Sequence, residues 1–264
     1  MATTEAVKPG LGKPAGPSQQ DEKRGFGVTL RRDAWWVQPL VVACSFGAFI
    51  IYTTWAGLQG KNYEWGPYLS PFYSPLFKPS WLGDMSPAVL ILWGPGGFRA
   101  TCYYYRKAYY RAFFADPAAC AVGEINEQRY CGENALPLKL QNIHRYFMYV
   151  ALIVLALLWY DAVLAFSYEG QLGFGLGTVI MVANCCFLSF YTLGCHSLRH
   201  IIGGRLNTFH GCGGAHACWK GVSKLNMNHQ LWAWTSLFSV GLTDVYIRLA
   251  ASGVIHDPNT WGLK

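Results

Sequence analysis

Apolar residues gather in four long blocks and one interrupted block, separated by polar or proline-rich connections. Residues 34–58, 138–166, 174–202 and 231–253 form the long blocks, the second with its apolar heart at 147–159. Each is long enough to cross roughly 30 Å of hydrocarbon as a helix. The interrupted block starts near Ser86 and reads SPAVLILWGPGGFRATCYYYRKAYYRAFF, of which only 89–93 is plainly apolar. Pro95 among three glycines predicts a kink or break there, and Arg99 lies only about two turns before Arg106 and Lys107. The pattern predicts an all-α integral membrane protein with five transmembrane helices over 34–257. Residues 1–33, rich in Pro, Gly, Lys and Glu and without an apolar core, predict a mobile cytoplasmic tail and no cleavable signal. Residues 59–85, full of Pro and aromatics, predict a cap lying on the membrane surface, and 258–264 a short C-terminal tail. No repeat of fixed period is visible.

Composition supports the membrane reading. Of 264 residues, 52% are hydrophobic and 13% charged, about half the charge that wets a soluble domain. The 11 Trp, 16 Tyr and 15 Phe exclude a disordered chain. Mean hydropathy is only +0.18 because the tail and two polar loops dilute the apolar spans. The net charge of +7 has no basic run interleaved with exposed aromatics, so nucleic acid is not its explanation. Lys and Arg crowd the tail and the loops after the second and fourth spans, with Arg31, Arg106, Arg129, Lys139, Arg205 and Lys220 among them, and number fourteen there against three on the opposite side. Charge therefore predicts the N-terminus in the cytoplasm and the C-terminus outside. Nine cysteines fall below disulfide-scaffold density.

Six of the seven histidines gather near the predicted inner face. His144 enters with the third span, His196 and His200 leave with the fourth, and His229 precedes the fifth. Intramembrane ionisable groups point to function, and Cys195, Cys102 and Cys120 lie nearby in sequence or topology. Thiolate plus imidazole ligation suits iron–sulfur, zinc or copper. Two Cys on one iron and two His on the other make the Rieske arrangement, while two His on facing helices suit one b-type haem. The usual Rieske loops and the c-type haem motif are both missing from the sequence. The loop FHGCGGAHACWK has two H-x-C pairs, His210/Cys212 and His216/Cys218, tighter than usual zinc-finger spacing. Arg99 and Tyr103 would suit a quinone headgroup, which needs donors to its carbonyls, with Arg199 and His200 as further candidates. Asp244 and Arg248, four apart, read as a neutralised pair that Asp161 could join.

The segments WGPGGFRATCYYYRKAYYRAFF, LPLKLQNIHRYF, YTLGCHSLRHIIGG and SKLNMNHQLWAWTSLFSVGLTDVYIRLAASG resemble the single-chain membrane anchor of bacterial succinate dehydrogenase, respiratory complex II. The resemblance spans roughly residues 86–257. It implies a multi-pass protein of the bacterial inner membrane, flavoprotein and iron–sulfur subunits docked on the inner face, and a membrane quinone as electron acceptor. The isolated chain is then expected to catalyse nothing. Di-haem anchors of this family place histidines at two depths, whereas the outer half of these spans has none. The expected centre is therefore a Rieske-like [2Fe–2S] cluster on Cys120, Cys195, His144 and His229, with Cys102 and His196 in reserve and one haem b as the alternative. A small transporter is the competing class, but internal symmetry and charged midplane sites are not evident.

Overall fold

The computed structural model describes residues 25–83, 85–125, 142–204, 206–208 and 210–263. The described residues form eight α-helices and two short antiparallel hairpins. The helices are α1 (Val37–Gln59), α2 (Trp93–Ala100), α3 (Tyr103–Tyr109), α4 (His144–Leu164), α5 (Leu176–Leu193), α6 (His196–Gly203), α7 (Gly213–Met227) and α8 (His229–Ala251). Of these, α1, α4 and α5 are long and apolar enough to cross a membrane. Helix α8 has the same length as α1 but carries Asp244 and Arg248. The basic residues Arg129, Lys139 and Arg205, and the start of the predicted third span, lie outside the described residues.

The interrupted block differs from its expectation in where it breaks. Pro95 is the third residue of α2. In the first turn its missing N–H would have had no intrahelical partner, so it opens the helix rather than breaking it. The break falls at Cys102, whose φ and ψ of −65° and 130° are extended. The predicted fourth span also divides. Helix α5 ends at Leu193, and Cys195, with φ −66° and ψ 137°, separates it from α6. His196 and His200 therefore belong to a separate short helix.

One end of the bundle is closed by residues 60–92. The hairpin Glu64–Trp65/Tyr68–Leu69 brings Tyr63, Tyr68, Phe72 and Tyr73 into the core, so the segment is wedged into the bundle rather than laid upon it. Helix termini leave carbonyls without partners, and side chains supply them here. The Tyr73 hydroxyl donates to Ala56 O at 2.8 Å, and Arg248 donates to Ala56 O at 2.8 Å and Lys61 O at 2.9 Å. Arg248 is held in turn by fully buried Asp244 at 2.7 Å. The same carboxylate accepts from Tyr52 at 2.6 Å and from Ser70, while Ser74 donates to Asp161. The second hairpin, Ser167–Tyr168/Gln171–Leu172, carries the C-terminal segment: Leu176 N donates to Pro258 O and Trp261 Nε1 to Gln171 O, each at 3.1 Å.

The opposite end carries the N-terminal segment. Residues 25–33, assigned with the tail, pair with the loop after α3. Gly27 N donates to Gly123 O at 3.1 Å and Gly123 N to Val28 O at 3.0 Å. The starts of α4 and α8 and the ends of α2 and α5 meet at this end, around a core of Phe46, Phe98, Tyr105, Met148, Tyr191 and Leu237.

Candidate functional site

Four segments deliver two thiols and two imidazoles to that core. His144, the first residue of α4, is buried, and its Nε2 lies 3.2 Å from Cys195 Sγ. The first residue of α8, His229, has its Nε2 3.6 Å from Cys102 Sγ. Both cysteines are buried. Each occupies the N-cap of a helix that follows a break, with nearly identical backbone angles. Ser197 N donates to Cys195 Sγ at 3.3 Å.

The hydrogen bonds around His144 select its tautomer. Thr101 Oγ1 donates its single proton to Gly97 O at 2.7 Å. Its 2.9 Å contact with His144 Nδ1 is then an N–H of the ring donating to the hydroxyl oxygen. The neutral ring keeps its lone pair on Nε2, facing Cys195. This is the arrangement of a metal-ligating histidine, whose other nitrogen is held by a neighbouring polar group.

Rings connect the two pairs. His144 stacks on Phe98 with centroids 4.7 Å apart, Phe98 meets Tyr191 edge-on at 5.4 Å, and Tyr191 stacks on His229 at 5.0 Å. Among the described residues, the buried side-chain polar atoms without a hydrogen-bond partner are Tyr191 Oη, His229 Nδ1 and Trp232 Nε1. His229 and Trp232 are one turn apart on α8, and Tyr191 lies against His229. Unsatisfied buried polar atoms are rare in native proteins and call for an explanation.

Arg99 closes the group. It donates to the Tyr105 hydroxyl at 2.5 Å, to Ser236 Oγ at 3.1 Å and to Ala233 O at 3.3 Å. Its guanidinium carbon stands 4.7 Å from the Tyr191 ring centroid. Arg99 and Tyr191 also border an apolar cavity of about 160 Å³ lined by residues such as Phe49, Ile91, Leu155 and Val240.

The other expected residues lie apart from these pairs. Cys120 is exposed, in the loop that pairs with the N-terminal segment, and its carbonyl accepts from Arg31 at 3.0 Å. Cys102, the reserve, stands against His229 where Cys120 was expected. Tyr103 is 70% exposed, with Arg106 over its ring. On α6, His196 and His200 are both exposed. Arg145 donates to His200 Nδ1 at 3.1 Å, and Arg199 donates to Ser223 at 2.9 Å while covering Trp219. Sequence reading passed over Thr101 and Tyr191. Thr101 adjoins Cys102, and Tyr191 lies four residues before Cys195, one helical turn, so both stand beside a candidate ligand. No set of three or more His, Cys, Asp or Glu side chains is gathered tightly enough to hold a metal ion among the described residues; the donors stand as two pairs.

A family model described as actinobacterial succinate dehydrogenase subunit SdhC matches residues 37–253. A chain of the Mycobacterium smegmatis Sdh1 complex in the apo form is 42% identical, with a TM-score of 0.82, over 92% of this chain and 96% of that one. No match is found among curated proteins. The chain thus belongs to the actinobacterial SdhC family, the membrane-anchor subunit of succinate dehydrogenase.

Proposed function

We propose that this subunit passes electrons from the iron–sulfur subunit of succinate dehydrogenase to a membrane quinone through a two-iron centre on Cys102, Cys195, His144 and His229. The chain is a multi-pass protein of the bacterial plasma membrane, and its partners are the flavoprotein and iron–sulfur subunits of the complex. Five crossings, with the N-terminus inside, follow from counting α1, the α2–α3 block, α4, α5 and α8, together with the charge bias of the loops.

The observation that carries the reading is the placement of the orphaned polar atoms beside two buried thiol–imidazole pairs. Two thiols and two imidazoles are the donor set of a Rieske-type centre, and such a group, when bound, supplies a one-electron relay at a potential of about −150 to +300 mV. The residues of the chain do the rest. Thr101 fixes the His144 tautomer. Ser197 N donates to Cys195 Sγ and holds that sulfur in place. Phe98, Tyr191, Tyr105 and Met148 exclude water. Cys102 takes the position first assigned to Cys120, because it is the sulfur beside His229. Arg99 borders both this cage and the apolar cavity, and we assign that cavity to the quinone; the exposed Tyr103, Arg199 and His200 are left to the surface. A single haem b is the less favoured centre, since it would leave the two buried thiols beside the imidazoles without a role.

The test is the complex purified with its two soluble partners. The reduced protein is expected to show a [2Fe–2S] EPR signal with a mean g value below that of all-thiolate clusters, and little haem absorbance. Replacing His144 and His229 with Ala should abolish quinone reduction and remove that iron, while succinate oxidation by soluble dyes persists. A stoichiometric Soret band in active enzyme, or iron retained in the double variant, would overturn the proposal.

A further inference from the structure

Two recesses lie along the seam between α1 and α8. The first, of about 180 Å³, is at the end where both helices begin, and α3 with the π-turn Tyr110–Phe114 completes its wall. Lys107 and Arg111, one helical turn apart, line it together with Gln38, Val42, Tyr104 and Gln230. Neither basic side chain makes an ion pair or a hydrogen bond with another described residue, and no carboxylate lines the recess among the described residues. It therefore offers two unneutralised cations and two side-chain amides to one ligand. The second recess, of about 450 Å³, is lined by Ser45, Ala48, Phe49 and Tyr52 of α1 and by Leu237 and Gly241 of α8. It is largely apolar, since the Tyr52 hydroxyl is engaged by Asp244, and exposed Phe238 and Leu242 stand at its edge. Gln38, Val42, Ser45, Phe49 and Tyr52 recur three and four apart, so the two recesses share one face of α1. Between them Phe46 and Trp234 join the two helices, with ring centroids 4.9 Å apart. At 1.5 Å of rise per residue, Gln38 and Tyr52 are roughly 20 Å apart along α1.

We propose that this seam is a site for one anionic phospholipid, with its phosphodiester headgroup between Lys107 and Arg111 and an acyl chain laid over the Phe46–Trp234 contact into the groove of α1 and α8. The inference stands apart from the electron route proposed above. Charge selects the headgroup. Basic pockets between membrane helices on the cytoplasmic side take acidic lipid headgroups, and the phosphate oxygens accept charge-assisted hydrogen bonds from the guanidinium and the ammonium. A zwitterionic headgroup brings an ammonium of its own against the same two cations, and like charges repel. The groove commits the ligand to a lipid, since a free phosphate would leave its apolar length uncovered. Exposed Leu40 and Val41 adjoin the recess on α1, so the headgroup pocket borders the apolar surface from which a lipid would enter.

The experiment is a native mass spectrometry titration of the complex, purified with its two soluble partners, with phosphatidylglycerol and phosphatidylethanolamine of the same acyl chains. The wild-type complex is expected to hold one phosphatidylglycerol in preference to phosphatidylethanolamine. Lys107→Gln with Arg111→Gln should weaken that binding about 30-fold, since a Lys or Arg near the membrane surface contributes about fivefold each, and should remove the preference. Ala48→Phe stands a ring in the groove at an exposed position and should lower retention of both lipids alike. It decides the matter if the charge variant does not assemble. Lys220→Gln with Lys224→Gln removes the same charge from exposed positions on α7 and should change nothing. An equal loss in that variant would mean that acidic lipid is drawn by the basic end as a whole, and overturns the inference. So does a preference that survives in Lys107→Gln with Arg111→Gln, retention unaltered by Ala48→Phe, or a wild-type complex that holds neither lipid.

Discussion

At the scale of the residue, a hydroxyl decides what an imidazole can do. Thr101 spends its proton on Gly97 O and so must accept from His144. Thr101→Val keeps the volume and removes the acceptor. Orienting groups of this kind are worth about 10–100-fold in metal affinity or activity, so the mixed-ligand EPR signal of the proposed centre should weaken and quinone reduction should fall by roughly that factor, measured by EPR and turnover of the purified complex. Asp244 has a different kind of importance. It is fully buried and neutralises Arg248. Asp244→Ala leaves a buried charge unpaired and should cost about 3–5 kcal/mol, seen as a lowered thermal midpoint of the purified complex. Asp33 shows a pH effect. Its hydrogen bond with the Arg31 guanidinium holds the carboxyl below the usual range, so its contribution is present above the unfolded value of about 3.9 and is lost as pH falls through the lower folded value. Amide protection at Gly27 and Gly123, followed by hydrogen exchange, should stay level down to about pH 4 and decline below it.

At the scale of the element, the close approach of α2 to α4 depends on glycine. A Cβ on Gly97 would stand 2.2 Å from Phe147, and one on Gly94 2.7 Å from Val150. Small residues let helices pack closely in membranes. Overfilling such a contact costs about 1–3 kcal/mol, so Gly97→Ala should lower the thermal midpoint. Because Phe147 lies one turn after His144, it should also disturb the iron signal. The long helices were legible in sequence because their apolar runs are unbroken: α1, α4 and α8 lie within a few residues of the expected spans, apart from an expected third-span start that falls outside the described residues. The helix breaks were not. Pro95 looked like a breaker, yet a proline in the first turn forfeits no hydrogen bond. Cys102 is flanked by Thr101 and Tyr103, neither of which marks a break. Gly194 before Cys195 was the one local signal that could have divided the fourth span. Choosing Cys120 over Cys102 had the same cause, since the approach of Cys102 to His229 joins segments 127 residues apart and leaves no trace in a local pattern.

At the scale of the whole molecule, the two ends have different work. One is knotted shut by residues 60–92, the Asp244–Arg248 pair and the docked C-terminal segment. The other gathers the thiols and imidazoles and carries the segment 25–33 clipped to the loop after α3. If the second end faces the cytoplasm, an epitope added after the last residue should be reached by antibody in intact spheroplasts, and one at the N-terminus only after the membrane is permeabilised. The reverse result would invert the orientation. The dispersal of the four donors also fixes an order of manufacture. Cys102 emerges from the ribosome first and waits for His229, whereas His144 and Cys195 can meet earlier, so the four donors stand together only once the last helix has entered the membrane. On the proposed ligand set, loading of the centre would then be a post-translational step that acts only on chains whose insertion is finished.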